Sequence, residues 1–307
     1  MTSTHTLRVG TRVSALARAQ TGHVIEALGV ATEIVPVVTL GDRSAAAVDQ
    51  LGGTGVFTSA LRDALLAGEI DVAVHSYKDL PTAPAQGIVL AAVPRREDPR
   101  DALVARDGLS LGELPPGARV GTGSPRRAAQ LRALGLGLEV VPVRGNVDTR
   151  LGKVGAGELD AVVLALAGLR RLGRANQATE ILDPIQVLPA PAQGALAIEC
   201  RAGDEAALAA VSGLDDAGSR ATVAAERSLL AALEAGCSAP VGAQAELVEG
   251  DDGELDVFLR GSVTAIDGSD AVRLSGTGPV HDAEGVGRRL AAELIAAGAT
   301  TMMGGSI

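Results

Sequence analysis

LRVGTRVSALARAQ at 7–20 returns as ARVGTGSPRRAAQ at 118–130, and AGEIDVAV at 67–74 returns, in the same order, as AGELDAVV at 156–163. Each first member reads as a short buried strand, a glycine-containing turn and then a helix. Ser14 and Ser124 stand where N-caps belong, and Pro125 stands at a first helical position. Each second member reads as a glycine helix stop, then an acid and an apolar run, the pattern of a strand covered on both faces. Further strands are expected at 33–40, 88–93, 139–144 and 195–201. Strands alternating with helices predict mostly parallel sheets made of βαβ units. A unit written twice predicts two similar α/β lobes. Ligands of such sheets bind outside the carboxyl ends of the strands, which here carry GTR (10–12), HSYKD (75–79), GTGSPRR (121–127) and RGNVDTR (144–150). Four polar turns are thus expected to converge on a cleft between the lobes.

Past about residue 215 the pattern changes. Residues 219–235 read as an amphipathic helix ended by Gly236; 254–266 and 271–280 read as an antiparallel strand pair joined by DGSD; 281–297 reads as a closing helix. A smaller α+β domain is expected there, with EAGCSAPVG (234–242) placing Cys237 on a Gly/Pro loop after a helix.

Composition narrows the function. The 307 residues are 47% hydrophobic and 21% charged, enough to bury real cores, and aromatics are 1%, which argues against stacking platforms for bases. Two cysteines exclude a disulfide framework, and with four scattered histidines they show no zinc-ligand spacing. No apolar run approaches membrane-span length and the N-terminus lacks a signal-peptide core, so a cytoplasmic protein is expected, with no membrane partner and no metal.

The net charge is −10, yet between Arg119 and Arg174 ten basic residues face four acidic ones. A local cationic field in an acidic chain marks an anion site. All but two of the basic residues, Lys78 and Lys153, are arginine. Arginine's planar fork grips carboxylate or phosphate bidentately, but GC-rich coding explains arginine excess equally well, so clustering is the better clue. Arg126, Arg127, Arg144, Arg150, Arg170 and Arg171 are candidate receptors, and Ser124 and Arg126 sit at a helix N-terminus that favours negative charge. Arg132 and Arg174 read as solvated. No P-loop is present, and net acidity disfavours nucleic acid. A small organic ligand with several carboxylates fits best.

Asp79 falls at a strand's carboxyl end, where it could protonate a leaving amine or stabilise a developing cation; the alternative is an Asp that only shapes the turn before Pro81. Cys200, in ALAIECR, reads as a small buried hydrophobe. Cys237 reads as a nucleophile or covalent anchor, although the preceding helix C-terminus would raise its pKa.

GDR (41–43), GGTGVF (52–57), HSYKDLP (75–81), REDPRDA (96–102), GTGSPRR (121–127), RGNVDTR (144–150), AGLRRLG (167–173), LPAPAQGALAIECR (188–201) and GCSAPVG (236–242) follow a first turn with Arg12 and Ser14. In this order, over 7–247, the chain resembles the hydroxymethylbilane synthase (porphobilinogen deaminase) family. The resemblance implies two periplasmic-binding-protein-like lobes, at 1–95 (completed by about 194–215) and 100–190, plus a cofactor-anchoring domain at 217–307. It implies a monomeric enzyme of tetrapyrrole biosynthesis that joins four porphobilinogen molecules head to tail, releasing four ammonia, on a dipyrromethane cofactor tied by a thioether to Cys237. Asp79 takes the position of the catalytic aspartate. Lys78, Thr122, Ser124, Arg126, Arg127, Arg144 and Gln193 take cofactor-binding positions; Arg12, Ser14, Arg150 and Arg171 take substrate-binding ones. Two departures stand out: Thr54 where a lysine is common, and GTGSPRR where GTSSLRR is common. The competing expectation is a non-catalytic cytosolic protein that binds a polycarboxylate.

Overall fold

The computed structural model describes residues 6–38, 58–235, 239–250 and 253–303. GDR (41–43), GGTGVF (52–57) with Thr54, and Cys237 lie outside the described residues. Elements run β1 (Leu7–Arg12), α1 (Ala15–Leu28), β2 (Thr32–Val37), α2 (Ser59–Leu66), β3 (Val72–Ser76), β4 (Ile88–Ala92), β5 (Asp101–Ala105) and β6 (Arg119–Thr122). Next come α3 (Pro125–Ala133), β7 (Glu139–Pro142), α4 (Val147–Gly155), β8 (Ala161–Ala165), α5 (Leu166–Arg171), β9 (Glu180–Ile181) and β10 (Leu196–Arg201). The chain ends with α6 (Glu205–Ser212), α7 (Ala217–Ala232), β11 (Val241–Glu249), β12 (Leu255–Thr264), β13 (Ala271–Pro279), α8 (Ala283–Ala296) and α9 (Ala299–Met302).

The chain divides into two compact units, Met1–Arg96 with Ala195–Arg220, and Glu97–Gly194 with Ala221–Ile307. The first holds a sheet of order β2-β1-β3-β10-β4; the second holds β7-β6-β8-β5-β9 and the three-stranded β11-β12-β13. The two five-stranded sheets share one plan. In each, three neighbouring strands run parallel and the fourth position, β10 or β5, is antiparallel to both its neighbours. The expected parallel βαβ core is present, and the antiparallel insert corrects it. Adjacency in space says nothing of direction when the inserted strand comes from another part of the chain.

The repeated motifs turn out to touch each other. A Cβ on Gly10, in β1, would lie 2.3 Å from Ile70 Cδ1, and one on Gly121, in β6, 2.6 Å from Leu159 Cδ1. Glycine in the middle strand thus admits the apolar residue of the second motif. The acid that follows closes back on the same strand. Arg8 N donates to Asp71 Oδ2 at 3.0 Å while Asp71 N donates to Arg8 O at 2.8 Å. Arg119 N donates to Asp160 Oδ2 at 2.7 Å while Asp160 N donates to Arg119 O at 2.9 Å. The duplication is therefore a duplicated packing device, which sets the register of the middle strand against its neighbour. Ser14 and Ser124 cap α1 and α3 as expected, accepting from Ala17 N and Arg127 N.

In the third sheet β12 pairs antiparallel with β11 and β13. Its core is Val257, Leu259, Val263, Leu229, Leu290 and Leu294, all buried. The expected pair and closing helix are there; β11 is an additional strand, and β2 and β7 stop short of the expected ends, at Val37 and Pro142.

Candidate active site

In the first unit β1 and β3 are parallel neighbours, Val9 opposite Val72 and Gly10 opposite Ala73, so their carboxyl ends lie side by side. The end of β1 supplies Arg12 and, one turn on, the N-cap Ser14. The end of β3 passes into a single helical turn, Tyr77–Asp79, which carries Lys78 and Asp79, both half-buried. Leu80, 3% exposed, closes the turn by donating its N–H to Tyr77 O at 3.2 Å. Arg12, Ser14, Lys78 and Asp79 are thus brought to one edge of one sheet.

In the second unit the equivalent edge carries the cations. β6 ends at buried Thr122, whose hydroxyl accepts from Ser124 N at 3.2 Å. Arg126 and Arg127 follow on the first turn of α3, Arg144 follows β7, Arg150 lies on α4, and Arg171 ends α5. Burial pulls the Arg150 guanidinium down, and repulsion from Arg127 and Arg144 adds to it. Positive side chains gathered at one place make negative charge favourable there. Arg171 donates Nη2 to Gly194 O at 2.6 Å, and burial lowers its pKa against the pull of Glu97. Arg132 is exposed, as expected of a solvated side chain; Arg174 is half-buried and pairs with Asp148 at 2.8 Å.

One residue went unnoticed in the sequence. Asp101, wholly buried at the start of β5, collects three of the expected cofactor-binding residues. Arg126 Nη2 donates to Oδ2 at 2.8 Å, Arg127 Nε to Oδ1 at 3.0 Å and Gln193 Nε2 to Oδ1 at 2.7 Å. Burial raises the Asp101 pKa, but Arg126 and Arg127 overcome it and hold the carboxylate ionised. Arg126 also donates to Leu188 O, and Arg127 to Val163 O and Gln193 Oε1. Two cations share one carboxylate, so the buried group keeps one positive charge in excess, and Arg126 Nε is buried with no hydrogen-bond partner. The signal that could have found Asp101 is its place in REDPRDA, an acid heading a wholly apolar strand.

The C-terminal residues of this unit join it through Glu226, whose two oxygens accept from Ala192 N at 2.6 Å and Ala245 N at 2.8 Å. Among the described residues no group of His, Cys, Asp and Glu is placed to hold a metal, and no helix is long and apolar enough to cross a membrane.

The family model for the porphobilinogen deaminase dipyrromethane cofactor binding domain matches residues 7–209, and that for the porphobilinogen deaminase C-terminal domain matches 220–296. The chain belongs to the porphobilinogen deaminase family. The porphobilinogen deaminase of Mycobacterium avium is 59% identical over 307 residues, covering 98% of this chain and 97% of its own length. That of Mycobacterium tuberculosis is 60% identical over 306 residues, covering 97% and 99%. Among solved structures, a methionine-binding protein, MetQ, aligns with 68% of this chain and 89% of its own at 14% identity and a TM-score of 0.42. Membership in the porphobilinogen deaminase family makes the chain an enzyme of tetrapyrrole biosynthesis with porphobilinogen as its substrate, and the non-catalytic binding protein is the disfavoured reading. A dipyrromethane cofactor, with its acid side chains, suits a donor set of buried and mutually repelling arginines.

Proposed function

We propose that Asp79 is the catalytic carboxyl group, that the arginines of the second unit bind the acetate and propionate groups of the pyrrole chain, and that Cys237 anchors the primer. Porphobilinogen units are joined head to tail into the linear 1-hydroxymethylbilane. In each addition a carbon–carbon bond forms between a free pyrrole carbon of the growing chain and the aminomethyl carbon of the incoming unit. The carbon–nitrogen bond breaks, ammonia leaves, and the pyrrole carbon that gained the new bond loses its proton. Asp79 assists departure of the amine and stabilises the cation it leaves. Lys78 and Arg12, at the same sheet edge, bring positive charge for a carboxylate, and Ser14 a hydroxyl. Thr122, Ser124, Arg126, Arg127, Arg144 and Gln193 hold the cofactor, and Arg150 and Arg171 the substrate. A dipyrromethane held there as a Cys237 thioether supplies the pyrrole carbon that accepts the first unit.

The observation that carries this reading is the half-buried Arg150 of α4, gathered with Arg127 of α3 and Arg144 after β7, whose positive charges add to burial in pulling it down, a place that suits a ligand with several carboxylates. Asp79→Asn and Asp79→Ala should retain fold and primer yet lower turnover by at least ~10²-fold; wild-type rates would refute the role. Cys237→Ser should abolish the added dipyrromethane mass and the Ehrlich colour; a covalently loaded variant would refute the anchor. Residues 217–307 form the anchoring domain in this reading. The protein acts as a cytoplasmic monomer without nucleic-acid or membrane partners, which light scattering and cell fractionation check.

A further inference from the structure

The residues that lead into the Tyr77–Asp79 turn are tied to α1 and β10 of the first unit, and through β10 to α2. His75 Nε2 lies 3.2 Å from Glu199 Oε2. Glu199, on β10, accepts from both sides of the Arg62 fork of α2, Nε at 3.0 Å and Nη2 at 2.7 Å. The next residue, Ser76, exchanges two hydrogen bonds with the Gln20 side chain of α1: Nε2 donates to Oγ at 2.9 Å and Oγ donates to Oε1 at 3.1 Å. Tyr77 N then donates to Ala195 O, just before β10, at 3.1 Å. Gln20, His75 and Glu199 are each 5% exposed.

Buried polar groups at this depth add little to stability over apolar side chains of similar volume. What they add is direction, because each ion or hydrogen-bond contact is satisfied at one position of the strand end. Neither Gln20 nor Glu199 is among the residues that touch substrate or primer in the function proposed above.

We infer that Gln20 and Glu199 are positioning residues for the reaction: acting through Ser76 and His75, they fix the end of β3 and hence the turn that presents Lys78 and Asp79. The inference rests on the reading of Asp79 as the catalytic group. A displacement of about 1 Å in a reacting group lowers rates by up to roughly 10²-fold, so losing one of several ties is expected to cost about tenfold in turnover.

The test uses the primer-loaded enzyme with Gln20→Met, which keeps length and removes both hydrogen bonds to Ser76, and Glu199→Gln, which keeps shape and removes the charge. Primer content is read by Ehrlich colour and intact mass, and stability by thermal melting. For Gln20→Met we expect unchanged primer content, a melting temperature within about 3 °C of wild type, kcat lowered about tenfold and KM within about threefold. Gln20→Glu, which keeps an acceptor for the Ser76 hydroxyl, should recover part of kcat. A wild-type kcat in Gln20→Met at equal primer content overturns the inference; so does a fall in kcat that only tracks loss of folded protein. If Glu199→Gln does not fold, Gln20→Met decides alone. Asp79→Asn, run alongside, separates the two readings: if it turns over normally, the Asp79 assignment fails, and if it is inactive while Gln20→Met is normal, only the positioning role fails.

Discussion

Asp101→Asn tests whether the buried cation pair of the second unit is held by one carboxylate. The side chain is wholly buried, between Arg126 and Arg127 side chains only 3% and 6% exposed. The substitution keeps the volume and one acceptor oxygen, but removes the only carboxylate in ion-pair contact with either arginine among the described residues. It also turns an amide N–H₂ toward groups that already donate. Removing one partner of a buried pair is destabilising by about 3–5 kcal/mol, because the remaining charge has no water to return to. Here two guanidinium groups are left facing each other, and burial already depresses the Arg126 pKa. We therefore expect about 4 kcal/mol.

For a unit of this size each kcal/mol lowers the melting temperature by about 2–4 °C, so calorimetry should show a fall of about 10 °C. The control is Lys153→Ala, which breaks a pair with Glu158 whose side chains are 34% and 58% exposed. That loss should stay below about 1 kcal/mol. Adding Arg126→Gln to Asp101→Asn removes one of the two unbalanced charges and should recover a measurable part of the loss. A fall of under about 2 °C for Asp101→Asn, or one equal to the Lys153→Ala control, would refute the reasoning.

Acid should weaken the first unit through Glu199 and Asp71. Burial raises the Glu199 pKa, but His75 and Arg62 bring it down to about 2, and Arg8 and Arg201 likewise hold Asp71 at about 2 against burial. Both pKa values are depressed by folding, so their stabilisation is complete above about pH 4.5 and is lost as pH falls toward 2; Glu199→Gln should flatten this slope in urea denaturation between pH 5 and about 2. Gly194 has φ +89, and an added Cβ would lie 2.3 Å from the Glu97 carbonyl oxygen, so Gly194→Ala should lose at least about 2 kcal/mol. Gly203→Ala, at φ +81 but in open space, should lose only about 1 kcal/mol in the same urea titration. Burial, with Asp204 next, pushes the Cys200 thiol up to about 12; iodoacetamide at pH 8 should leave it unmodified in the native protein, and rapid labelling would contradict its burial.

The duplicated plan was legible because its residues carry contact information in themselves. The recurrence is visible in the motifs, but Gly10 and Gly121 lie inside the strands rather than in the turns after them; there Ile70 and Leu159 fill the space and Asp71 and Asp160 close the ring. The antiparallel strands were harder. β10 reads as a strand in the sequence, but its pairing with both β3 and β4 depends on a chain return more than a hundred residues later. β5 and β11 are short or rich in small residues, so neither shows a clean alternation. At the site, the motif residues of the first unit fall together because β1 and β3 are neighbours. Asp101 was not legible because its partners lie 25, 26 and 92 residues away, and no local pattern joins them.

The arginine excess, ambiguous in the sequence, is resolved by depth. Arg106 and Arg288 are exposed, each beside a carboxylate, and a lysine would serve as well there. Coding bias is a sufficient account of such positions. Arg126, Arg150 and Arg171 are different, because burial drives their pKa values down. A guanidinium starts so high that it stays charged under that pressure, whereas a lysine ammonium in the same place readily gives up its proton. In the function proposed above, a receptor for a lengthening polycarboxylate must keep its charge before binding, and at these buried positions arginine does so. The same depth explains Asp101: with one carboxylate for two buried guanidinium groups, the cluster is tolerable in the folded chain yet still one anion short.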